Sequence, residues 1–281
     1  CNYYVVNLFK NCIYDCSYCF LQDFLKNNPL LVAYVNIEDL LDELDQVFTA
    51  NPNRTFRVGT GELADSLALD EIIPYSQKLI PFFNQQKNAV LELKTKSNCV
   101  KNLLTQKSPN NVIVSWSLNP QIIIDQEEKG TPSLEQRLEA ALLCANKGYK
   151  IGLHLDPIII SPNWESAYHG MIEKIFEVLL PSQIEWISLG SFRYRGALKK
   201  IINERHKNTR LFTSEHIVSK DGKHRYLRSL RNEAYQNLRG FLKKISTDLN
   251  VYICMETKEV WEGVTGKMPR ADEKLDKFFD L

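Results

Sequence analysis

The chain has 281 residues, 44% of them hydrophobic and 25% charged, with 12 glycines and 11 prolines. That profile fits a folded globular protein with a sizeable core and excludes a collagen, a coiled coil or a low-complexity polymer. Thirty-five Lys and Arg against 34 Asp and Glu leave a formal charge of +1, so any affinity for nucleic acid must come from local clusters.

Short β-rich segments alternate with longer amphipathic ones. Strands are predicted at Tyr3 to Leu8, Thr55 to Val58, Val90 to Lys94, Val112 to Ser117, Lys150 to Ile160 and Ile184 to Leu189. The helices that follow them are predicted at Ile37 to Ala50, Ile72 to Asn84, Val100 to Gln106, about Ser133 to Lys147, Trp164 to Leu180 and Gly196 to Glu204. Six such units imply an α/β fold, a partial (β/α)6 barrel of the TIM type whose working face is made by the loops after the strands. After about residue 210 the rhythm changes. Asp221-Gly222, between Ile217 and Tyr226, reads as a hairpin turn, and a helix at about Leu230 to Leu249 and a strand at Val251 to Met255 follow. The expected organisation is a barrel over residues 1–209 with a C-terminal hairpin and helix extension over 210–281 packed on it, since no Pro/Gly-rich linker separates them. Apolar runs such as Leu30 to Val35 are far shorter than the roughly 20 residues of a membrane span, so no membrane partner is expected.

Seven cysteines, Cys1, Cys12, Cys16, Cys19, Cys99, Cys144 and Cys254, make an odd count, and three of them fall within eight residues. This is no secretory disulfide framework, and a reducing cytoplasm is the expected compartment. A chain that opens at Cys1 without Met is expected to have been processed or trimmed.

Cys12, Cys16 and Cys19 form C-x3-C-x2-C in the first strand-to-helix connection, where a barrel carries its chemistry. Three thiolates can hold three irons of a [4Fe-4S] cube and leave the fourth open to an outside chelate. The alternative is a zinc site completed by Cys1, Cys99 or a distant histidine. The spacing, with Tyr18 before the last cysteine, resembles the radical SAM superfamily, in which the amino and carboxylate groups of S-adenosylmethionine chelate that iron. Further strand ends bear groups that such a ligand needs. Gly59-Thr60-Gly61-Glu62 offers close backbone approach and a carboxylate, and Lys96 in Lys94-Thr95-Lys96-Ser97 offers a point charge for a carboxylate. Ser117 and Asn119 offer a hydroxyl and an amide. Each of these also has an ordinary reading as a turn or a solvated strand end. His154 and Asp156 share one strand face, either as a satisfied pair inside the barrel or as substrate contacts. Arg193, beside Tyr194 at the sixth strand end, can grip phosphate or carboxylate through two hydrogen bonds. Lys220, Lys223, His224, Arg225, Arg228 and Arg231 make a basic stretch around Tyr226, fit either for a nucleic-acid backbone or for a solvated face.

One family resemblance runs from the N-terminus to about Trp261. Cys-Ile-Tyr-Asp-Cys-Ser-Tyr-Cys-Phe-Leu-Gln (12 to 22), Tyr-Val-Asn-Ile-Glu-Asp-Leu (34 to 40), Lys-Thr-Lys (94 to 96), Gly-Thr-Pro-Ser-Leu-Glu-Gln-Arg-Leu-Glu-Ala-Ala (130 to 141) and Phe-Arg-Tyr (192 to 194) resemble the spore photoproduct lyase family. The resemblance implies a radical SAM enzyme that repairs a methylene-bridged thymine dimer in DNA through a 5'-deoxyadenosyl radical. It implies cluster ligation by Cys12, Cys16 and Cys19 and S-adenosylmethionine contacts from Lys96 and Ser117, with Gly59, Thr60, Gly61 and Glu62 resembling the superfamily's glycine-rich motif; Asn119 as a further cofactor contact, and Arg193, Tyr194, Lys223, Arg225 and Arg228 as nucleic-acid contacts, are expected from their own chemistry. An electron donor such as flavodoxin or ferredoxin and a monomeric state complete the expectation. The family's hydrogen donor, a cysteine after the second strand, is absent: Thr60 to Glu62 stand there. Of the family's tyrosine pair Tyr18 remains and Phe20 replaces the other; Phe forms no phenoxyl radical. Cys99 is the candidate replacement donor, its alternative role being a core thiol. The missing donor leaves open a family member acting on another substrate, and, in a different class, a non-catalytic metal or nucleic-acid binding module.

Overall fold

Alternation of side chains along each strand sets the architecture. In the computed structural model, which describes residues 3–26, 28–107 and 111–267, seven strands lie side by side in chain order and all run parallel. They are β1 (Tyr3–Val5), β2 (Phe56–Gly59), β3 (Ala89–Thr95), β4 (Val112–Ser117), β5 (Lys150–Ile158), β6 (Ile184–Ser191) and β7 (Val251–Ile253). The curled sheet is a half-barrel with its helices outside: α1 (Ile37–Ala50), α2 (Ser76–Gln85), α3 (Lys101–Thr105), α4 (Leu134–Asn146), α5 (Trp164–Val178), α6 (Gly196–Arg205), α7 (Arg228–Ile245) and α8 (Lys258–Thr265). Outward side chains such as Leu91, Val114, Leu153 and Ile187 join Leu79, Leu138, Ile172 and Leu238 of the helices in one core.

The alternate residues line the concave side in layers. Val90, Ile113, Trp186 and Tyr252 pack together at the bottom. The next layer is polar: Glu92 accepts from Arg57 (2.7 Å), from the Ser115 hydroxyl (2.7 Å) and from His154 Nε2 (2.7 Å), while His154 Nδ1 meets the Ser188 hydroxyl at 2.6 Å. Burial pushes the His154 pKa down, so the imidazole is neutral and takes its second bond from the Ser188 hydroxyl. His154 is therefore a satisfied residue inside the barrel. Lys94, Ser117 and Asp156 form the topmost layer, at the mouth.

Six of the strands are those the pattern predicts, and the seventh comes from the segment after residue 210. Three residues of apolar sequence cannot announce a partner 60 positions earlier; β7 joins the sheet because it covers the open edge of β6, at Ile187, Ser188 and Leu189. Helix α2 starts at Ser76 rather than Ile72, since Pro74 disfavours helix at Ile73 and the Asp70 carboxylate accepts from the Ser76 backbone N–H at 2.9 Å. Helix α4 begins at Leu134, close to the expected start, behind a capping box: the Ser133 hydroxyl accepts from Gln136 N–H and the Gln136 side chain accepts from Ser133 N–H. The Asp221-Gly222 hairpin forms from His216–Val218 and Lys223–Tyr226, with Gly222 at φ +77°, and adds a third strand at Arg193–Arg195. A helix over Gln121–Glu127 and a two-residue strand, Glu128–Lys129, are unannounced by the pattern; the strand pairs with Asp15–Cys16. Cys1 and residues 268–281 of the expected extension lie outside the described residues. Among the described residues no helix is long and apolar enough to cross a membrane.

Candidate active site

The loop bearing the three cysteines is held from several sides. Its Asp15–Cys16 pair lies against Glu128–Lys129, and Ser17 N–H donates to the Glu127 carbonyl at 2.8 Å while its hydroxyl donates to the Glu127 carboxylate. The Gln22 side-chain amide donates toward the carbonyls of Cys16, Ser17 and Cys19 at 2.9–3.2 Å, and its oxygen accepts from Arg205 at 2.8 Å. Glu127 also accepts from the Thr209 hydroxyl and the Arg210 N–H, fastening the loop to the segment after α6. Neither Gln22 nor Glu127 stands out in the sequence; Gln22 closes the first matching segment, but only folding gives it three carbonyls to bridge.

Cys12, Cys16 and Cys19 line one wall of a cavity of about 550 Å³ at the mouth of the half-barrel. Burial pushes the Cys12 thiol up to about 12 and raises Cys16 and Cys19 as well. Such sulfurs become thiolates only against a cation that neutralises them, as a metal centre does. A zinc site needs a fourth ligand; of those the sequence offers, Cys1 lies outside the described residues and Cys99 does not line the cavity. Three soft sulfur donors spread along a cavity wall fit a cluster that takes one thiolate per iron.

Tyr18, Gly61, Glu62, Lys96 and Ser117 share the cavity wall with the cysteines. The wall is organised around a carboxylate that the pattern misses. Glu128 is fully buried; it accepts from the Tyr18 hydroxyl, from Asn119 at 2.8 Å and from Arg137 at 2.5 Å. Burial opposes its charge, but Lys96 and Arg137 outweigh that and hold its pKa below the usual carboxylate range. Burial likewise opposes the charge of Lys96, and Glu128 with the Cys16 sulfur holds its pKa above the ordinary lysine value. The ammonium stands 5.6 Å from the centre of the Tyr18 ring, and the Lys96 N–H is pinned by Asp65, which also accepts from Thr95. Asp65 lies on the wall three residues past Glu62 and is a second group without a sequence signal.

Four expected residues near this end stand behind the wall. Gly59 is small because of β1: a Cβ there would meet the Tyr3 hydroxyl at 1.7 Å. Thr60 is buried with its hydroxyl on Ser66 at 2.7 Å, and Asn119 is engaged by Glu128 and by the Tyr168 hydroxyl. Cys99 is half-buried, with its N–H on the Ser97 hydroxyl at 3.0 Å, and does not line the cavity; Tyr14, which does, stands close to it. Gly61 is on the wall, and a Cβ there would meet the Lys94 carbonyl at 2.6 Å, so backbone alone fits.

The far end of the cavity is built by Asp156, Arg193, Tyr194, Arg195, Lys223 and Met255. Arg193 grips Asp156 through two bonds of 2.9 and 3.1 Å; burial alone would raise the Asp156 pKa, yet the guanidinium brings it down to about 2. Tyr194 is stacked between Phe192, at 5.3 Å, and His224, at 4.9 Å. The basic stretch is largely spent within the fold. Arg225 is buried with both terminal nitrogens on Asp221 at 2.5 and 2.8 Å, and Arg231 is buried against Glu256 at 2.9 Å. That leaves Lys223 on the cavity wall and Lys220 and Arg228 exposed outside it. Exposed Phe20 and Phe24 stand at the rim, 6.1 Å apart and edge to face.

The sequence profile of spore photoproduct lyase matches residues 1–252. Two curated relatives are spore photoproduct lyases: that of Bacillus subtilis (strain 168) is 28% identical over 215 residues, and that of Geobacillus sp. (strain Y412MC61) 27% identical over 219. Each alignment covers 75% of this chain and 63% of the relative, so the chain spans less than two thirds of their length. Among solved structures, spore photoproduct lyase with bound AdoMet and dinucleoside spore photoproduct superposes with a TM-score of 0.78 at 23% identity, covering 89% of this chain and 75% of that one. Streptococcus suis SuiB bound to S-adenosylmethionine superposes at 0.55 with 13% identity, covering 95% of this chain and 53% of that one. At these identities the superpositions speak for the fold, a half-barrel in both cases.

Proposed function

Since the chain belongs to the spore photoproduct lyase family, we propose that it is a radical SAM lyase acting on a thymine-dimer-type lesion in DNA. The observation that carries this reading is that Cys12, Cys16 and Cys19 share one cavity wall with Gly61, Glu62, Lys96 and Ser117. When bound, a [4Fe-4S] cluster and S-adenosylmethionine supply a 5'-deoxyadenosyl radical able to abstract hydrogen from a substrate. The chain's own part is to bind and orient. The three cysteines would hold the cluster. Lys96, kept charged by Glu128, would neutralise the methionine carboxylate; Gly61 and Glu62 would take its amino group, and the Ser117 hydroxyl a further polar edge. At the far end Arg195 and Lys223 would meet backbone phosphate and Arg193 would sit pre-aimed by Asp156, while at the rim beside the cysteine loop Phe20 and Phe24 would stack on unpaired bases. Lys220 and Arg228 would extend that contact along the duplex. Residues 1–209 would then hold the cofactor and supply part of the nucleic-acid surface, to which the segment after 209 would add Lys220, Lys223 and Arg228, while its strand β7 belongs to the barrel sheet.

Return of hydrogen to the product would have to proceed without the family's donor cysteine and second tyrosine, whose places are taken by Thr60 to Glu62 and Phe20. The Tyr18 hydroxyl is committed to Glu128, Phe20 has none, and Cys99 does not line the cavity. A second reading keeps the same radical chemistry and changes the substrate. An electron carrier such as flavodoxin or ferredoxin is the proposed reductant. A monomer in the reducing cytoplasm is the proposed state, in keeping with the free thiols at Cys12, Cys16, Cys19, Cys99, Cys144 and Cys254.

The test is anaerobic reconstitution followed by dithionite and S-adenosylmethionine, with and without DNA carrying spore photoproduct, assaying 5'-deoxyadenosine and thymine together. Release of both in response to the lesion is expected. 5'-Deoxyadenosine without repaired thymine would transfer the case to the second reading. One zinc with no iron or sulfide would leave only a binding module.

A further inference from the structure

We propose that Lys94 is a substrate-contacting residue whose ammonium donates to a carbonyl oxygen of the pyrimidine base entering the cavity, an inference that deepens the lyase reading above and rests on it. Lys94 and Lys96 stand two positions apart at the end of β3, and both line the main cavity. They differ in what holds them. Lys96 is balanced by the buried Glu128, whereas the half-buried Lys94 side chain makes no hydrogen bond or ion pair among the described residues. Glu62, on the neighbouring strand end and the same wall, does not pair with it, and Asp156, the carboxylate of its own layer, is gripped by Arg193. An ammonium drawn partly out of water without a partner carries a cost that an oxygen of a ligand can offset.

The surroundings of Lys94 place it over the barrel interior. Burial comes first in the titration of His154, Asp156 and Cys254, and each of the three also feels the charge of Lys94. These side chains come from β5 and from just past β7, where Cys254 packs with the interior layer of Tyr252. The other cations that suit a nucleic acid lie elsewhere: Arg195 and Lys223 are paired across the hairpin sheet at the far end of the cavity. A base taken out of its stack enters a pocket while its phosphates stay outside, so the far end suits phosphate and the layer of Lys94 suits the base. Thymine presents carbonyl oxygens at C2 and C4. An ammonium has three donors and no acceptor, so it fits those oxygens and disfavours the amino group that cytosine carries at C4. Lys94 would thereby select oxo-pyrimidines.

The experiment measures binding by calorimetry to the reconstituted, unreduced protein with S-adenosylmethionine present. Parent and Lys94→Met, which keeps the length of the side chain and removes its charge, are titrated with spore photoproduct as the dinucleoside, which has no phosphate, and as the dinucleotide. Expected is a loss on the order of tenfold in affinity for both forms, while iron content and S-adenosylmethionine binding stay within about twofold and the melting midpoint is unchanged. A loss confined to the dinucleotide would assign Lys94 to the phosphate and overturn the base contact. Equal binding by parent and variant would overturn it too, and would leave the lyase reading intact. Weakened S-adenosylmethionine binding in the variant would move Lys94 to the cofactor, which equally overturns the proposal. A parent protein that binds S-adenosylmethionine but neither form of the lesion overturns the lesion reading and this contact together.

Discussion

The two ends of the main cavity are held in different ways. At the cysteine end one fully buried carboxylate, Glu128, collects Tyr18, Asn119 and Arg137 from three separate parts of the chain and sets the charge of Lys96. At the far end the charges work in pairs: Asp156 with Arg193, and Asp221 with Arg225 across four residues of one hairpin. A networked end tolerates no single change, because each member leaves others buried without a partner. A paired end can be altered one couple at a time.

The largest break in that contrast is expected from Glu128→Gln. It removes the carboxylate charge that balances a fully buried Arg137, whose other bonds go to neutral oxygens of Ser117, Thr131 and Pro132, and should cost about 3–5 kcal/mol in urea unfolding, with S-adenosylmethionine binding lost as well. A cost below about 1 kcal/mol would show that the network is not what holds this end. Next in size is Asp156→Asn. The Asp156 side chain is 13% exposed and its pKa lies near 2 against an ordinary 3.8, so the ion pair contributes about 2 kcal/mol above pH 3.8. Because the folded-state pKa is the lower one, the contribution fades as pH falls from about 3.8 through about 2. Parent and variant should therefore differ most in denaturant midpoint at pH 5 and above and converge near pH 2. A difference that stays constant across that range would assign the loss to packing instead.

The smallest effect is expected from Asp221→Asn. Asp221 is nearly half exposed, so stability should change by less than about 1 kcal/mol. Affinity for DNA should rise, with a steeper salt dependence, because the Arg225 guanidinium is released from its internal partner. An unchanged salt slope would mean that Arg225 stays out of the nucleic-acid contact even when freed.

Much of this was legible beforehand. The half-barrel follows from strand and helix alternation, and the cysteine spacing, Lys96, Ser117 and the Gly61-Glu62 pair all arrive on one wall. What was not legible has a common cause. Glu128 meets Tyr18 across 110 positions of chain, from a strand of two residues that no periodicity can reveal. Arg225 and Arg231 read as surface cations because their sequence neighbours are polar, yet one is turned onto Asp221 and the other beneath Glu256. Cys99 lies just past a strand end, and a sequence does not say that it is left off the cavity wall while Tyr14 is on it.

The sequence alone determined what depends on local period and spacing: which segments are strands, which helices, where the hairpin turns, and that three thiols cluster at the first crossover. The tertiary structure decided which charges remain available. Ionised groups choose partners by distance in space and by the cost of leaving water, and neither is written in the order of the residues. That is why the cavity's wall was foreseeable while Glu128, the carboxylate that organises it, was not.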